Sequence, residues 1–179
     1  MVIFEIEPMN PERYRQQTRR SSLAVIATFA MTAMGFAMLA VAAFGEPGGN
    51  NLRYNIAGVV AGFLVTAALV RLVYARQRWM ACAVYGWRLK RSLMRITNQM
   101  HQVKAGVTAG DRQAMQVLRF YHLGLAQMHD LDGNSSALAE QQAEIEQHRQ
   151  AMLAHGIDIE QTRLDDVWLA HVKGFQASR

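Results

Sequence analysis

The chain reads as an all-α protein: a two-helix transmembrane hairpin followed by a cytoplasmic bundle of about four helices. Three observations carry that expectation. Leu23 to Phe44 contains no charged residue, and neither does Tyr54 to Val70. Lys and Arg crowd the outer flanks of this pair. Beyond it, apolar residues recur at helical rather than alternating spacing.

The first apolar run would rise roughly 33 Å as an α-helix, enough for a hydrocarbon core of about 30 Å. The second reaches full length with Leu52 at one end and Leu72, Val73 and Tyr74 at the other, if Arg71 snorkels to the interface. Only helices or closed barrels satisfy backbone polar groups in lipid, and neither run alternates like a strand. The spans are therefore about 23–44 and 52–74, with Gly45-Glu46-Pro47-Gly48-Gly49-Asn50-Asn51 as a short turn over 45–51. Gly58 and Gly62 form G-x-x-x-G, continued by Thr66, and small residues permit close helix approach. Ala33, Ala37 and Ala40 offer the facing surface within the hairpin; self-association or docking onto another membrane protein is the competing use.

Arg13, Arg15, Arg19 and Arg20 precede the first span. Arg71, Arg76, Arg78, Arg88, Lys90, Arg91 and Arg95 lie at or beyond the end of the second, whereas the turn side holds only Arg53, offset by Glu46. The positive-inside rule then puts both termini in the cytoplasm and the turn in the periplasm. Arg71, Arg76 and Arg78 are the expected contacts to lipid headgroups. Ala40-Val41-Ala42 imitates a signal-peptidase site, but the apolar run is too long for a typical signal peptide, so the span is expected to be retained. The domains are 1–20, a cytoplasmic segment; 21–74, the hairpin; and 75–179, a cytoplasmic helical domain.

Val2 to Ile6 forms a short apolar patch that would lie on the bilayer or cover the cytoplasmic domain. Asn10-Pro11-Glu12 then starts a helix, with Asn as N-cap, Pro in the first turn and an acid at the positive dipole end. That helix should run through the first span. Trp79, Cys82, Gly86, Leu89, Leu93, Ile96, Met100, Val103 and Val107 recur at strict 3-4 spacing, a heptad seam for another helix of the same chain or of a second copy. Leu89, Leu93, Ile96 and Met100 are its expected centre, and the second span is expected to continue directly into it as a long rod.

Thr108 to Asp111 breaks the rod and caps a new helix, with Ala114, Leu118, Tyr121, Leu125 and Met128 on its apolar face up to about Asp130. A turn at 132–136 leads to a mostly polar helix, about Ala137 to His155, with Leu138, Ile145 and Met152 as its stripe; Gly156 stops it. Asp158 with Gln161 would cap a last helix burying Leu164, Val167, Trp168, His171, Val172 and Phe175. No strand is expected.

Charge is segregated along the chain. Residues 1–110 carry 13 Lys/Arg against 4 Asp/Glu, and residues 111–179 carry 6 against 10. The basic stretch beside a span reads as a topology signal and lipid contact rather than a nucleic-acid surface. The acidic remainder would fold back along the basic rod by charge attraction. A single cysteine, Cys82, excludes an intrachain disulfide and any Cys-x-x-Cys motif, and is read as a packed apolar residue.

No constellation points to catalysis. His122 and His129 lie seven apart, as do His148 and His155, too far for shared ligation on one helix. Asp130-Leu131-Asp132-Gly133-Asn134 opens like a calcium loop, but Ser135 and Gln141 replace the Gly and Glu that make the turn and the bidentate ligand. A capped interhelical turn is the better reading. No phosphate-cradling loop or nucleophile elbow occurs. No carboxylate or histidine sits mid-span, so transport by the chain alone is not expected.

Phe44-Gly45-Glu46-Pro47-Gly48-Gly49-Asn50-Asn51-Leu52-Arg53-Tyr54-Asn55, leading into Ile56-Ala57-Gly58-Val59, resembles a bacterial family of small two-span proteins filed as a domain of unknown function. Trp87-Arg88-Leu89-Lys90-Arg91, Leu118-Arg119-Phe120-Tyr121, and Leu131-Asp132 with its following turn are similar to it too. The likeness covers nearly the whole chain and implies a bacterial inner-membrane location but no activity. It departs at Gly133, where a second Asp would be expected, which weakens any acidic role for that turn.

The resulting expectation is a multi-pass, non-enzymatic accessory, scaffold or regulatory subunit, binding a partner helix through the 79–107 seam, the 164–175 face, or both. The competing expectation is a homo-oligomeric, signal-transmitting or transport-associated membrane protein. Membrane lipids and either another membrane protein or a second copy are the expected partners, with no nucleic acid and no cofactor.

Overall fold

The computed structural model describes residues 1–134 and 136–175, and of residues 136–141 the backbone alone. In chain order the elements are β1 (Val2–Glu5), α1 (Pro11–Phe44), α2 (Leu52–Leu72), α3 (Ala81–Thr97), α4 (Met100–Thr108), α5 (Arg112–Asp132), α6 (Ser136–Ala154), β2 (Arg163–Asp165) and α7 (Asp166–Val172). Helix dominates, and two of these helices are long and apolar enough to cross a membrane. The chain divides into two compact units, Gln16–Val84 and Met1–Arg15 with Tyr85–Arg179. Both boundaries fall inside helices, α1 and α3.

In the first unit α1 and α2 pack antiparallel. The connection is tied by Asn51, whose side chain accepts from the Glu46 N–H at 3.0 Å and donates to the Glu46 carbonyl at 3.2 Å. Rings support the pair along its length. Phe29 meets Phe63 edge-on at 6.4 Å, and Phe44 stacks on Tyr54 at 6.2 Å.

The expected continuous rod is not formed. α2 ends at Leu72, two single 3-10 turns follow at Tyr74–Arg76 and Arg78–Met80, and Gln77 between them is extended. Tertiary contacts hold this break, because no Gly or Pro marks it. The Tyr74 hydroxyl meets Thr28 Oγ1 at 3.1 Å, Ser21 Oγ donates to the Trp79 carbonyl at 2.7 Å, and Met80 is buried. Cys82 is buried, and its thiol donates to Gln17 Oε1 at 2.6 Å. A second interruption at Asn98–Gln99 separates α3 from α4.

The second unit is built around α5, which is buried on nearly every side: Met115, Val117, Phe120 and His122 join the expected Ala114, Leu118 and Leu125. Its core gathers Leu89, Leu93 and Ile96 of α3, Val103 of α4, Phe120 of α5 and Val172 of α7. Close approach is visible at Gly124, where a Cβ would meet Leu93 Cδ2 at 2.9 Å and Leu89 Cδ1 at 3.2 Å. A smaller cluster joins Met115, Met152 and Ile157. At the end of α5, Gly133 adopts φ +73°, and the Asn134 N–H returns to the His129 carbonyl at 2.8 Å. That is a left-handed helix cap, which favours glycine over the Asp suggested by the resemblance. Ser135 of this turn lies outside the described residues, as do the side chains of Leu138 and Gln141.

Two strands correct the expectation of none. β1 pairs antiparallel with β2, setting Phe4 opposite Leu164 and Glu5 opposite Arg163. Both Phe4 and Leu164 are buried, so the amino-terminal apolar patch covers the core. Arg163 Nε reaches Glu5 Oε1 at 3.0 Å on the outside. The last helix consequently starts at Asp166, not after an Asp158–Gln161 cap. Asp158 instead accepts from the Glu160 N–H at 2.9 Å, a local turn. Leu164 lies on a strand, and Val167 is exposed while Leu169 is buried.

Other local signals are placed as follows. Asn10 Oδ1 accepts from the Arg13 N–H at 2.9 Å, with Pro11 as the first helical residue. The cap of α5 is Asp111, accepting from the Ala114 N–H at 2.8 Å, while Thr108 is the last residue of α4 and donates to the Lys104 carbonyl. Gly156 carries φ +63° just past α6. Acidic and basic segments meet at Lys90–Asp132 (3.1 Å) and Lys104–Glu144 (2.9 Å), both solvent-exposed. Such pairs contribute at most about 1 kcal/mol each. Apolar burial, not charge attraction, closes this unit.

Candidate functional site

Three places gather the residues of interest. The first is the α1–α2 contact. Gly58, Gly62 and Thr66 are the buried residues of α2. A Cβ on Gly58 would run into the Ala37 backbone, and one on Gly62 into the Ala33 backbone. One turn further, Thr66 Oγ1 lies 2.8 Å from Thr32 Oγ1 and also donates to the Gly62 carbonyl at 2.8 Å. The helices thus touch backbone to backbone, and the Thr32 and Thr66 hydroxyls pair across the contact. Beside this seam an apolar groove of about 460 Å³ is lined by Val25, Phe29, Phe63, Ala67, Val70 and Arg71. Arg71, Arg76 and Arg78 have exposed side chains on the last turn of α2 and the two short turns after it.

The second is the heptad seam. Leu89 and Ile96 are fully buried, Leu93 nearly so, and Met100 is half-buried against the same core. Gly86 faces the buried Tyr14, whose hydroxyl occupies the space a Cβ would need. The seam is therefore consumed inside this chain. Its opposite face on α3 is open: Trp87 and Met94 are exposed, with Arg88, Arg91 and Arg95 around them.

The third is a buried polar cluster that spacing along one helix did not reveal. His122 of α5 and His148 of α6 are both buried, their rings edge to face with centroids 5.3 Å apart. His148 Nε2 lies 3.0 Å from the Met115 carbonyl, and among the described residues His122 Nδ1 has no hydrogen-bond partner. Arg119, also buried, donates from Nε to the Ile159 carbonyl at 2.7 Å. Burial, and secondly the facing His148, push the His122 imidazole down to about 4. Burial lowers His148 too, opposed by its bond to Met115, and burial with the nearby Arg149 charge lowers Arg119.

At neutral pH both rings are uncharged. Among the described residues no group of three potential ligands could hold a metal ion. Glu144, whose field reaches both rings, is paired with Lys104 Nζ. The arrangement works as a neutral polar element of the core. Only the packing of α6 on α5 brings the two histidines together; the signal available beforehand was two histidines falling on separate helices.

Acid lability follows. Unfolded, His122 takes a proton near pH 6.5; folded, it resists protonation until about pH 4. Its contribution is intact above the unfolded value and is lost as pH falls through this window, on the order of 3 kcal/mol at the acid end. Thermal unfolding of the intact chain should drop between neutral pH and about pH 4, and His122→Phe should flatten that profile. An unchanged acid slope in the variant would remove His122 as the cause.

No curated protein and no solved structure matches the chain. A family match extends over residues 4–169, taking in both units and all the places described above. The chain belongs to the family described as "Protein of unknown function (DUF3087)".

Proposed function

We propose that this chain is an integral inner-membrane protein of bacteria. In this reading α1 and α2 cross the bilayer as a hairpin, both termini are cytoplasmic, and the bundle around α5 is a non-enzymatic accessory or scaffold for another membrane component. The observation that carries the reading is the exposure of the apolar helices. In their most apolar stretches only 6% of α1 and 17% of α2 is buried, whereas the core helix of a soluble domain is mostly covered. Met31, Met34, Met38, Leu39, Phe63 and Leu64 all point outward, an apolar surface that water does not tolerate. Lipid is the solvent that suits it.

The accessory role draws support from chemistry. Burial disfavours the charged form of both buried histidines of the bundle, and Lys90–Asp132 and Lys104–Glu144 are ordinary exposed ion pairs. A partner would have to use surface other than the seam, since Leu89, Leu93 and Ile96 are committed to the chain's own core.

Topology reporters test the location. Green fluorescent protein fused to either terminus should fluoresce, and alkaline phosphatase inserted at Gly48 should be active. Phosphatase activity at a terminus, or extraction of the chain by alkaline carbonate, would reject the hairpin. For the role, purification in mild detergent should yield a different protein in fixed ratio. A homo-oligomer alone would favour the signal-transmitting or transport-associated reading.

A further inference from the structure

The groove beside the α1–α2 seam has two unlike ends. Its walls are Val25, Ile26 and Phe29 on α1 and Phe63, Ala67 and Val70 on α2. Thr66 also lines it, but its hydroxyl is taken by Thr32 Oγ1 and the Gly62 carbonyl. At one end stands Arg71, exposed and without an ion pair among the described residues. At the other the Phe29 and Phe63 rings meet edge to face. From Phe63 to Arg71 α2 rises about 12 Å, most of one leaflet's half of a hydrocarbon core about 30 Å thick. Charge is one-sided along this unit. Arg19 and Arg20 precede the groove residues of α1, and Arg76 and Arg78 follow Arg71, all four exposed. The single acidic residue between Gln16 and Val84 is Glu46, in the turn at the far end of the helix pair.

We infer that this groove binds one phospholipid of net negative charge, with an acyl chain along its apolar walls and the phosphate held by Arg71. The inference rests on the hairpin reading, in which Arg71 lies at the cytoplasmic interface and Phe63 near the middle of the bilayer. Charge complementarity selects the headgroup. A guanidinium with no carboxylate partner donates to phosphate oxygens through its planar fork. The ammonium of a zwitterionic lipid would meet the surrounding arginines with no carboxylate to pair with, whereas a net-negative headgroup gains from each of them. Dimensions favour a hydrocarbon chain over a partner helix. A helix about 10 Å across would fill the groove's volume of about 460 Å³ with roughly a single turn. It would also leave Arg71 without an anion unless it carried an acid at that depth.

The test strips the full chain of lipid in mild detergent and titrates it with phosphatidylglycerol or phosphatidylcholine, counting bound lipid by native mass spectrometry. One phosphatidylglycerol per chain should bind saturably, phosphatidylcholine several-fold more weakly, and inorganic phosphate should displace neither. Arg71→Gln should weaken phosphatidylglycerol binding about five-fold or more, while Arg53→Gln, beside the turn, should leave it unchanged. Ala67→Trp, which fills the groove from an exposed position, should prevent binding with Arg71 intact. In bilayers, phosphatidylglycerol carrying a photoreactive acyl chain should label residues 25–29 and 63–70. Equal affinity for the two lipids, or label spread evenly over the outer faces of α1 and α2 in an incorporated chain, overturns the site and leaves the hairpin standing. A lipid-free dimer as the stable species overturns the site too. A chain that fails to enter the bilayer overturns site and hairpin together.

Discussion

Leu89→Ala is expected to destabilise the bundle by about 2–5 kcal/mol, the range for emptying a fully buried leucine site. Leu89 is 0% exposed and belongs to the cluster that includes Phe4, Phe120 and Leu164. Its Cδ1 sits where a Cβ on Gly124 would need room, so α5 already lies close against it. Rigid backbone on that side limits collapse into the cavity, which favours the upper half of the range. The measurement is a urea unfolding curve in mild detergent at several protein concentrations. If the seam is closed within one chain, the loss is the same at every concentration; an intermolecular seam would make it concentration-dependent. Met94→Ala, on the exposed face of the same helix, should change stability by less than about 0.5 kcal/mol. Comparable losses in the two variants, or a shift that grows on dilution, would remove the intrachain assignment.

The second large effect lies in the helix pair. Gly62→Ile should separate α2 from α1, because the new Cβ lands on the Ala33 backbone, which cannot swing aside as a side chain can. Overpacking in cores costs about 1–3 kcal/mol, and a clash with backbone belongs at the top of that range or above it. Relief requires α2 to move away, which also breaks the 2.8 Å Thr32–Thr66 bond and the Phe29–Phe63 contact. Gly35→Ile is the matched control: it adds the same side chain to α1 at a position where a Cβ meets nothing within 4 Å. The detergent fraction at which the pair dissociates in a dodecyl sulfate titration should fall for Gly62→Ile and hold for Gly35→Ile. Equal behaviour would mean that the small-residue contact does not hold the helices together.

Local chemistry was legible wherever one short stretch supplied all the atoms. The Asn10 cap, the Asn51-tied turn and the Gly156 stop each depend on residues a few positions apart. Apolar periodicity likewise told which face of α3 is inward. It did not tell whose helix would cover that face, since a 3-4 spacing describes a stripe and not its occupant. The buried face of α5 was underestimated for a related reason. Leu118 and Leu125 mark one stripe, but a helix packed by α4, α6 and α7 together buries Met115, Val117 and Phe120 as well.

By itself the sequence determined that the chain is helical, with two long apolar stretches free of charge and flanked by arginine, because hydrocarbon length and charge are sums over neighbouring residues. Tertiary structure alone decided that Phe4 pairs opposite Leu164, that His122 meets His148, and that the path from α2 to α3 breaks at Gln77. These outcomes join residues far apart in the chain or override a local preference for helix. Their free energy resides in contacts that exist only once distant elements have packed, and no window along the sequence contains both partners.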